Sequence, residues 1–272
     1  MKKFILATLA ILTLAAITAC GGNSAENGLE AIRERGHIVV GIFGDSPPFG
    51  YVDGAGVHQG RDAMIARRFA YEMFGDETAV EFVTTEAANR IEFLTSHRVD
   101  VIIANFTVTA ARQEQVDFSL PYGRVALGLI ATEGAGVYSI ADLAGQDLIV
   151  TQGTTAELFF TEHHPEINLL RFAGNVESFQ ALADGRAAAM AHDNSLVLRH
   201  AWDNEGLIVI ESSLGNQDVL APAIRQNEPE LLAWLNETTL SLRNENFFYD
   251  VFYATMADAF HPDTNPSDLM YN

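Results

Sequence analysis

Three places in the chain carry side chains suited to holding a small charged molecule. Arg112 lies three residues after Thr109, which reads as a helix N-cap, so Arg112 falls on the first turn of a short helix. A guanidinium offers parallel N–H donors that match a carboxylate. Thr107 adds a hydroxyl five residues before it, and the Asn105 region adds backbone groups. Asp193 closes the apolar run Arg186–His192. An acid at the carboxyl end of a buried strand is costly without a cation or ligand, and such strand ends are where α/β sheets bind ligands. The third place is Gln152-Gly153-Thr154-Thr155, which joins an apolar run to a helix-like stretch. A strand–glycine–hydroxyl–helix junction exposes free N–H groups at the positive end of a helix dipole, a ready site for an anion.

The same residues give little to covalent chemistry. No G-x-S-x-G or H-E-x-x-H pattern occurs, and no lysine follows Lys3. His192 and Glu86 are the acid–base candidates, without a nucleophile beside them in a known signature. The eight histidines include His163-His164, but Pro165 follows, and no His/Asp/Glu cluster stands at metal-ligand spacing. A binding protein without metal or cofactor is expected, not an enzyme.

These residues need elements to hold them, and the pattern alternates strand and helix. Runs at His37–Phe43, Val80–Val83, Val99–Ala104, Leu127–Ala131 and Asp147–Thr151 read as strands. Gly60–Phe74 reads as a helix, with Ala63, Ile65, Ala66, Phe69, Ala70 and Met73 on one apolar face. Asn89–Ser96, Thr155–Glu162, Ser178–Asp184 and Leu231–Asn244 read as further helices. Such alternation predicts an α/β fold with mainly parallel sheet and right-handed crossovers. Thr154-x-x-Glu157 and Ser139-x-x-Asp142 both fit a capping box.

The N-terminus reads as an address. Lys2 and Lys3 precede the uncharged run Phe4–Ala19, which as a helix reaches about 24 Å, short of the roughly 30 Å bilayer core. That is the form of a secretory signal peptide over residues 1–20. It ends Ile17-Thr18-Ala19-Cys20, which resembles a bacterial lipobox, so Cys20 is the expected lipidation site. Cys20 is also the only cysteine, so no internal disulfide can form. Residues 21–28, GGNSAENG, read as a flexible tether. The formal charge of −20 argues against nucleic acid and against direct docking on anionic lipid headgroups. With 48% hydrophobic and 19% charged residues the chain is globular, and its 272 residues suit two lobes or one large domain.

Five segments in order resemble the polar amino-acid-binding proteins of bacterial ABC importers, extracellular solute-binding protein family 3. They are Gly41–Asp53 (GIFGDSPPFGYVD), Ala104–Arg112 (ANFTVTAAR), Val116–Tyr122 (VDFSLPY), Gln152–Thr155 (QGTT) and Gly185–Asp193 (GRAAAMAHD). Further stretches, among them Ala88–Leu94 (ANRIEFL), His192-Asp193-Asn194 and Leu214–Val219 (LGNQDV), look like the branch described as L-cysteine-binding. The resemblance implies a two-lobed type II periplasmic-binding-protein fold. Two crossover strands form the hinge, and one amino acid is held in the cleft. Lobe one is expected over residues 29–124 plus 217–258 and lobe two over 125–216. Residues 259–272, with two prolines, read as a loose tail.

A free amino acid is a zwitterion, so a cleft that buries it needs one fixed cation and one fixed anion. The resemblance gives Arg112 the carboxylate and Asp193 the ammonium, with Thr107 and Asn105 beside them. Gly153, Thr154 and Thr155 would bring the second lobe's helix N-terminus to the same carboxylate, which couples binding to closure. Arg90 either meets an acidic ligand side chain or braces the cleft. Phe43 and Phe49 are candidate walls, and Asn194 a candidate on the second lobe. Arg61 stands where relatives usually carry an aromatic residue, and is expected outside the cleft. The implied function is a monomeric, lipid-anchored solute-binding protein that delivers a small polar L-amino acid to an ABC permease and its ATPase. Cysteine is the first expectation and glutamate or aspartate the alternative. A dehydratase on the same scaffold is the remaining rival.

Overall fold

A computed structural model describes residues 28–272 of the chain. The proposed signal peptide, Cys20 and residues 21–27 of the proposed tether lie outside the described residues. The apolar runs become strands of two separate five-stranded sheets. In the first, strands lie in the order Val80–Thr84, Ile38–Ile42, Val101–Ile102, Ala223–Arg225, Val116–Phe118. In the second the order is Asn168–Phe172, Asp147–Thr151, Ala189–Asp193, Gly123–Thr132, Leu207–Leu220. The hydrophobic cores follow the sheets. The first lobe packs Ile38, Val40, Ile65, Phe69, Leu231, Leu235 and Phe248 in one cluster and Phe93, Leu94, Ile102 and Phe106 in another. The second lobe packs Leu129, Leu148, Val150 and Phe160 on one face and Ile130, Ile149, Met190 and Val197 on the other.

The sheets are half parallel, which differs from the mainly parallel expectation. Ile38–Ile42 and Asp147–Thr151 have parallel partners on both sides. Gly123–Thr132 is antiparallel to both neighbours, and Ala223–Arg225 to both of its own. The reason is the chain's path. It leaves the first sheet through Gly123 and Arg124 and returns through Val219 and Leu220, paired antiparallel as Gly123 with Leu220 and Arg124 with Val219. Two strands running in opposite directions thus join the lobes, the architecture of a hinge.

The C-terminal segment corrects the expectation of a loose tail. Residues Pro266–Leu269 form a helical turn with an Asn265–Asp268 capping box. Met270 is fully buried and bridges to Gly123, and the Tyr271 N–H donates to the Tyr122 carbonyl at 2.9 Å. The Tyr271 ring lies under the guanidinium groups of Arg124 and Arg243, at 4.4 and 4.5 Å. Two prolines mask the local pattern, but Leu269 and Met270 remove apolar surface from water and anchor the segment. Among the described residues no helix is long and apolar enough to cross a membrane.

Candidate functional site

The strand ends deliver the charged residues to one place between the lobes. Asp193 is the last residue of its strand and the N-cap position of the helix Asn194–Asp203. Arg112 sits on the four-residue helix Ala110–Gln113, capped by the Thr109 side chain, which accepts from the Arg112 N–H. Arg90 opens the helix Arg90–Thr95. Arg90, Arg112, Asn105, Thr107, Thr154, Thr155, His192, Asp193 and Phe43 line one gap, and all but the half-buried Thr155 are buried. The space among them is about 10 Å³. That is about the room one water needs, so anything the size of an amino acid enters only when the lobes part.

The two arginines are bound differently. Arg90 donates from Nε to the Ala87 carbonyl at 2.9 Å and from Nη1 to the Ala104 and Asn105 carbonyls at 2.9 and 3.1 Å. Its Nη2 donates to the Gly153 carbonyl of the other lobe at 3.0 Å. Four of the five donors of a guanidinium are therefore used on backbone. Arg112 donates from Nη1 to the Thr107 carbonyl at 2.7 Å and from Nη2 to the Gly153 carbonyl at 2.9 Å, which leaves three donors. Burial pulls the Arg112 guanidinium down to about 10, against the pull of the Asp193 and Asp218 carboxylates. Burial and the neighbouring Arg112 hold Arg90 well below the usual arginine range. The Phe106 ring packs against both cations, 4.4 Å from Arg90 and 4.8 Å from Arg112. Its electron-rich π-system offsets part of their repulsion. Phe43 closes another side, 5.5 Å from Arg90.

Asp193 is held without an ion pair among the described residues. Its carboxylate accepts from Asn105 Nδ2 at 3.4 Å, and its backbone N–H donates to His192 Nδ1 at 2.7 Å. Asn105 adopts a left-handed φ of 45° to reach it, while its Oδ1 accepts from the buried Arg61. Arg61 is wedged between the Phe49 and Tyr122 rings, at 4.7 and 5.0 Å, and pairs with Asp62 at 2.8 Å. It lies outside the gap but one side chain away from Asp193. Sequence reasoning gave Arg61 no such role, although its departure from the usual aromatic was the available signal.

Gly153 shows why that junction carries a glycine. Its φ is +74°, and a Cβ would stand 2.5 Å from the Ala88 Cα of the opposite lobe. The lobes meet backbone to backbone there. The capping box differs from its expected form. Thr154 Oγ1 accepts from the Glu157 N–H at 3.3 Å, but the Glu157 carboxylate takes the Gly153 N–H at 2.7 Å. The Gly153 N–H is thereby occupied within its own loop, so the anion-binding end of this helix is narrower than the motif suggests.

Two expected residues stand elsewhere. Phe49 is fully buried in the lobe-one core, edge-on to Phe260 at 6.3 Å, and does not line the gap. Its apolar ring gains more there than on a charged cleft wall. Asn194 holds lobe two together: its Oδ1 accepts from the Ala126 and Ser195 N–H groups and its Nδ2 donates to the Ser212 carbonyl. It lines a roomier hollow of about 490 Å³ between its helix and the C-terminal segment, with Trp202, Leu207 and Phe260. Arg199, His261 and Asp268 also line that hollow, but its walls are mainly apolar.

Residues 38–251 match the family described as bacterial extracellular solute-binding proteins, family 3. The chain is similar to the structure of a cysteine-binding protein from Campylobacter jejuni, at 42% identity and a TM-score of 0.87 over 89% of this chain and 98% of that one. It is similar to a solute receptor for L-cysteine from Neisseria gonorrhoeae, at 42% identity and a TM-score of 0.88 over 90% and 100%. It also resembles the ABC transporter glutamine-binding protein of Bacillus subtilis, 26% identical over 93% of this chain and 96% of that protein. Two α/β lobes on a two-strand hinge, with charged strand ends meeting between them, are what such a relationship requires, and the chain belongs to family 3 of the bacterial extracellular solute-binding proteins.

Proposed function

We propose that this chain is the extracytoplasmic binding component of an ABC importer and captures a small polar L-amino acid, L-cysteine first. The observation that carries the reading is the juxtaposition of a buried, ion-pair-free Asp193 with Arg112, which has three donors to spare, across one small gap. Opposite charges fixed on the walls of one gap repay the desolvation of a zwitterion. The use of Arg90 on four backbone carbonyls supports a bracing role and speaks against a glutamate or aspartate side chain there. Phe43 offers an apolar wall for a short side chain, and the likeness to two cysteine-binding proteins points the same way. A dehydratase is disfavoured. His192 would be the base, but its Nδ1 accepts from Asp193 N–H and its Nε2 is bonded to Asn175 at 2.9 Å, so neither nitrogen is free.

Titration calorimetry of residues 28–272, unfolded and refolded to strip carried-over ligand, tests the reading. One-to-one binding of L-cysteine under reductant, with glutamate and aspartate silent, is the expected result. Tight glutamate binding would return Arg90 to the role of side-chain clamp. We further propose that residues 1–20 are removed as a signal peptide, that Cys20 carries the lipid, that residues 21–28 tether a monomer to the membrane, and that the lobes divide near residues 124 and 217. Cys20→Ser should release the protein from membranes; retention in the membrane fraction would contradict the anchor.

A further inference from the structure

A second contact joins the lobes beyond the gap. Asp45 and Ser46 sit on a short hairpin strand of lobe one, and Asn175 begins the lobe-two helix Asn175–Ala183. That helix has no side-chain cap of its own. Instead the Asp45 carboxylate accepts the Asn175 and Val176 N–H groups at 2.8 and 3.3 Å, and the Asn175 Nδ2 at 3.2 Å. The Asn175 Nδ2 also donates to Ser46 Oγ at 2.6 Å. The chain continues inward. Asn175 Oδ1 bonds His192 Nε2 at 2.9 Å, and His192 Nδ1 accepts the Asp193 N–H at 2.7 Å. The accepting Nδ1 makes Nε2 the donor to Asn175 Oδ1, and leaves the Asn175 amide nitrogen to face Asp45 and Ser46. Ser46, Asn175 and His192 are each at most 3% exposed.

Asp45, Ser46 and Asn175 do not line the gap, yet they are two side chains from Asp193. We propose that Asp45, Ser46 and Asn175 form a latch made only when the lobes close, which positions His192 and Asp193 and slows ligand release without touching the ligand. The proposal rests on the cleft being an amino-acid site. A carboxylate from one lobe capping a helix of the other supplies bonds that exist in the closed form alone, so it shifts the opening equilibrium rather than the docking step.

Stopped-flow kinetics with L-cysteine on residues 28–272 test it. Asp45→Ala should raise the dissociation rate about tenfold, the factor carried by one charge-assisted hydrogen bond, and leave the association rate within twofold. Asn175→Ala should match it, and the double variant should add less than another twofold, because one latch is broken. Asp45→Asn, which keeps one acceptor, should fall between. A dissociation rate within twofold of wild type, or effects of the two variants that multiply, would overturn the latch. A Ser46→Cys/Asn175→Cys variant separates this from the ligand reading, since residues 28–272 contain no other cysteine. Prolonged oxidation without any amino acid should cross-link it, by trapping the molecules that close transiently. If wild type binds no amino acid but the cross-link forms, the cleft reading fails and the lobe contact stands. If the cross-link does not form, the latch itself is wrong.

Discussion

Replacing Arg112 with alanine removes the group whose donors remain for a ligand carboxylate. The wild-type guanidinium spends two donors on the Thr107 and Gly153 carbonyls and keeps three. A bidentate grip on a carboxylate uses two of those, at about 1.5–3 kcal/mol each for a charged hydrogen bond. The site is buried, so the stranded carboxylate also loses its water. Breaking a buried ion pair costs about 3–5 kcal/mol, which agrees. At about 1.4 kcal/mol per tenfold, L-cysteine affinity should fall by roughly a hundredfold to several thousandfold. Arg112→Lys keeps the charge but not the fork, and should fall between alanine and wild type. Calorimetry reads the affinity, and far-ultraviolet circular dichroism confirms that the variant is folded. An Arg112→Ala protein that binds within threefold of wild type would refute the carboxylate assignment.

Gly153→Ala should block closure, because its φ of +74° is strained for alanine and the new methyl meets the Ala88 backbone. Affinity should drop at least tenfold while the ligand-free melting temperature stays within a few degrees; unchanged affinity would contradict the backbone contact. Arg61→Met strands the buried Asp62 and should cost about 3–5 kcal/mol of stability by urea unfolding. A loss under 1 kcal/mol would show that Asp62 finds another partner. His192 is buried, and burial holds its imidazole below the ordinary value near 6.5. The unfolded chain therefore takes up the proton first, and the stabilising neutral form is lost as pH falls from about 6.5 through the lower folded value. The urea midpoint of His192→Gln should fall less than that of wild type between pH 7 and 5; parallel curves would contradict this.

What the residues revealed and what they hid follow from how each element is buried. Asp147–Thr151 was legible because its apolar run is buried on both faces, and so was Arg61–Phe74, whose apolar face repeats at helical spacing. The long return strand Leu207–Leu220 escaped because its polar half, ESSLGNQD, is largely exposed and its register shifts three times against its partner. The structural role of Asn194 escaped because its partners Ala126 and Ser212 are distant in the chain and no local pattern announces them. The charged residues of the gap were legible because a buried charge must have a reason. Phe106 and Arg61 were not, since an aromatic packed against two cations and an arginine behind an asparagine are visible only once the fold brings distant segments together. Asp45 and Asn175 are 130 positions apart in the chain, and no local pattern links them.

The most direct measurement is calorimetric titration of refolded residues 28–272 with L-cysteine under reductant, then with cystine, glutamate, aspartate, glutamine, serine and histidine. One-to-one binding of L-cysteine, stronger than any other in the panel, is the expected outcome. Silence across the whole panel would contradict the assignment of Arg112 and Asp193 as the two poles of an amino-acid site.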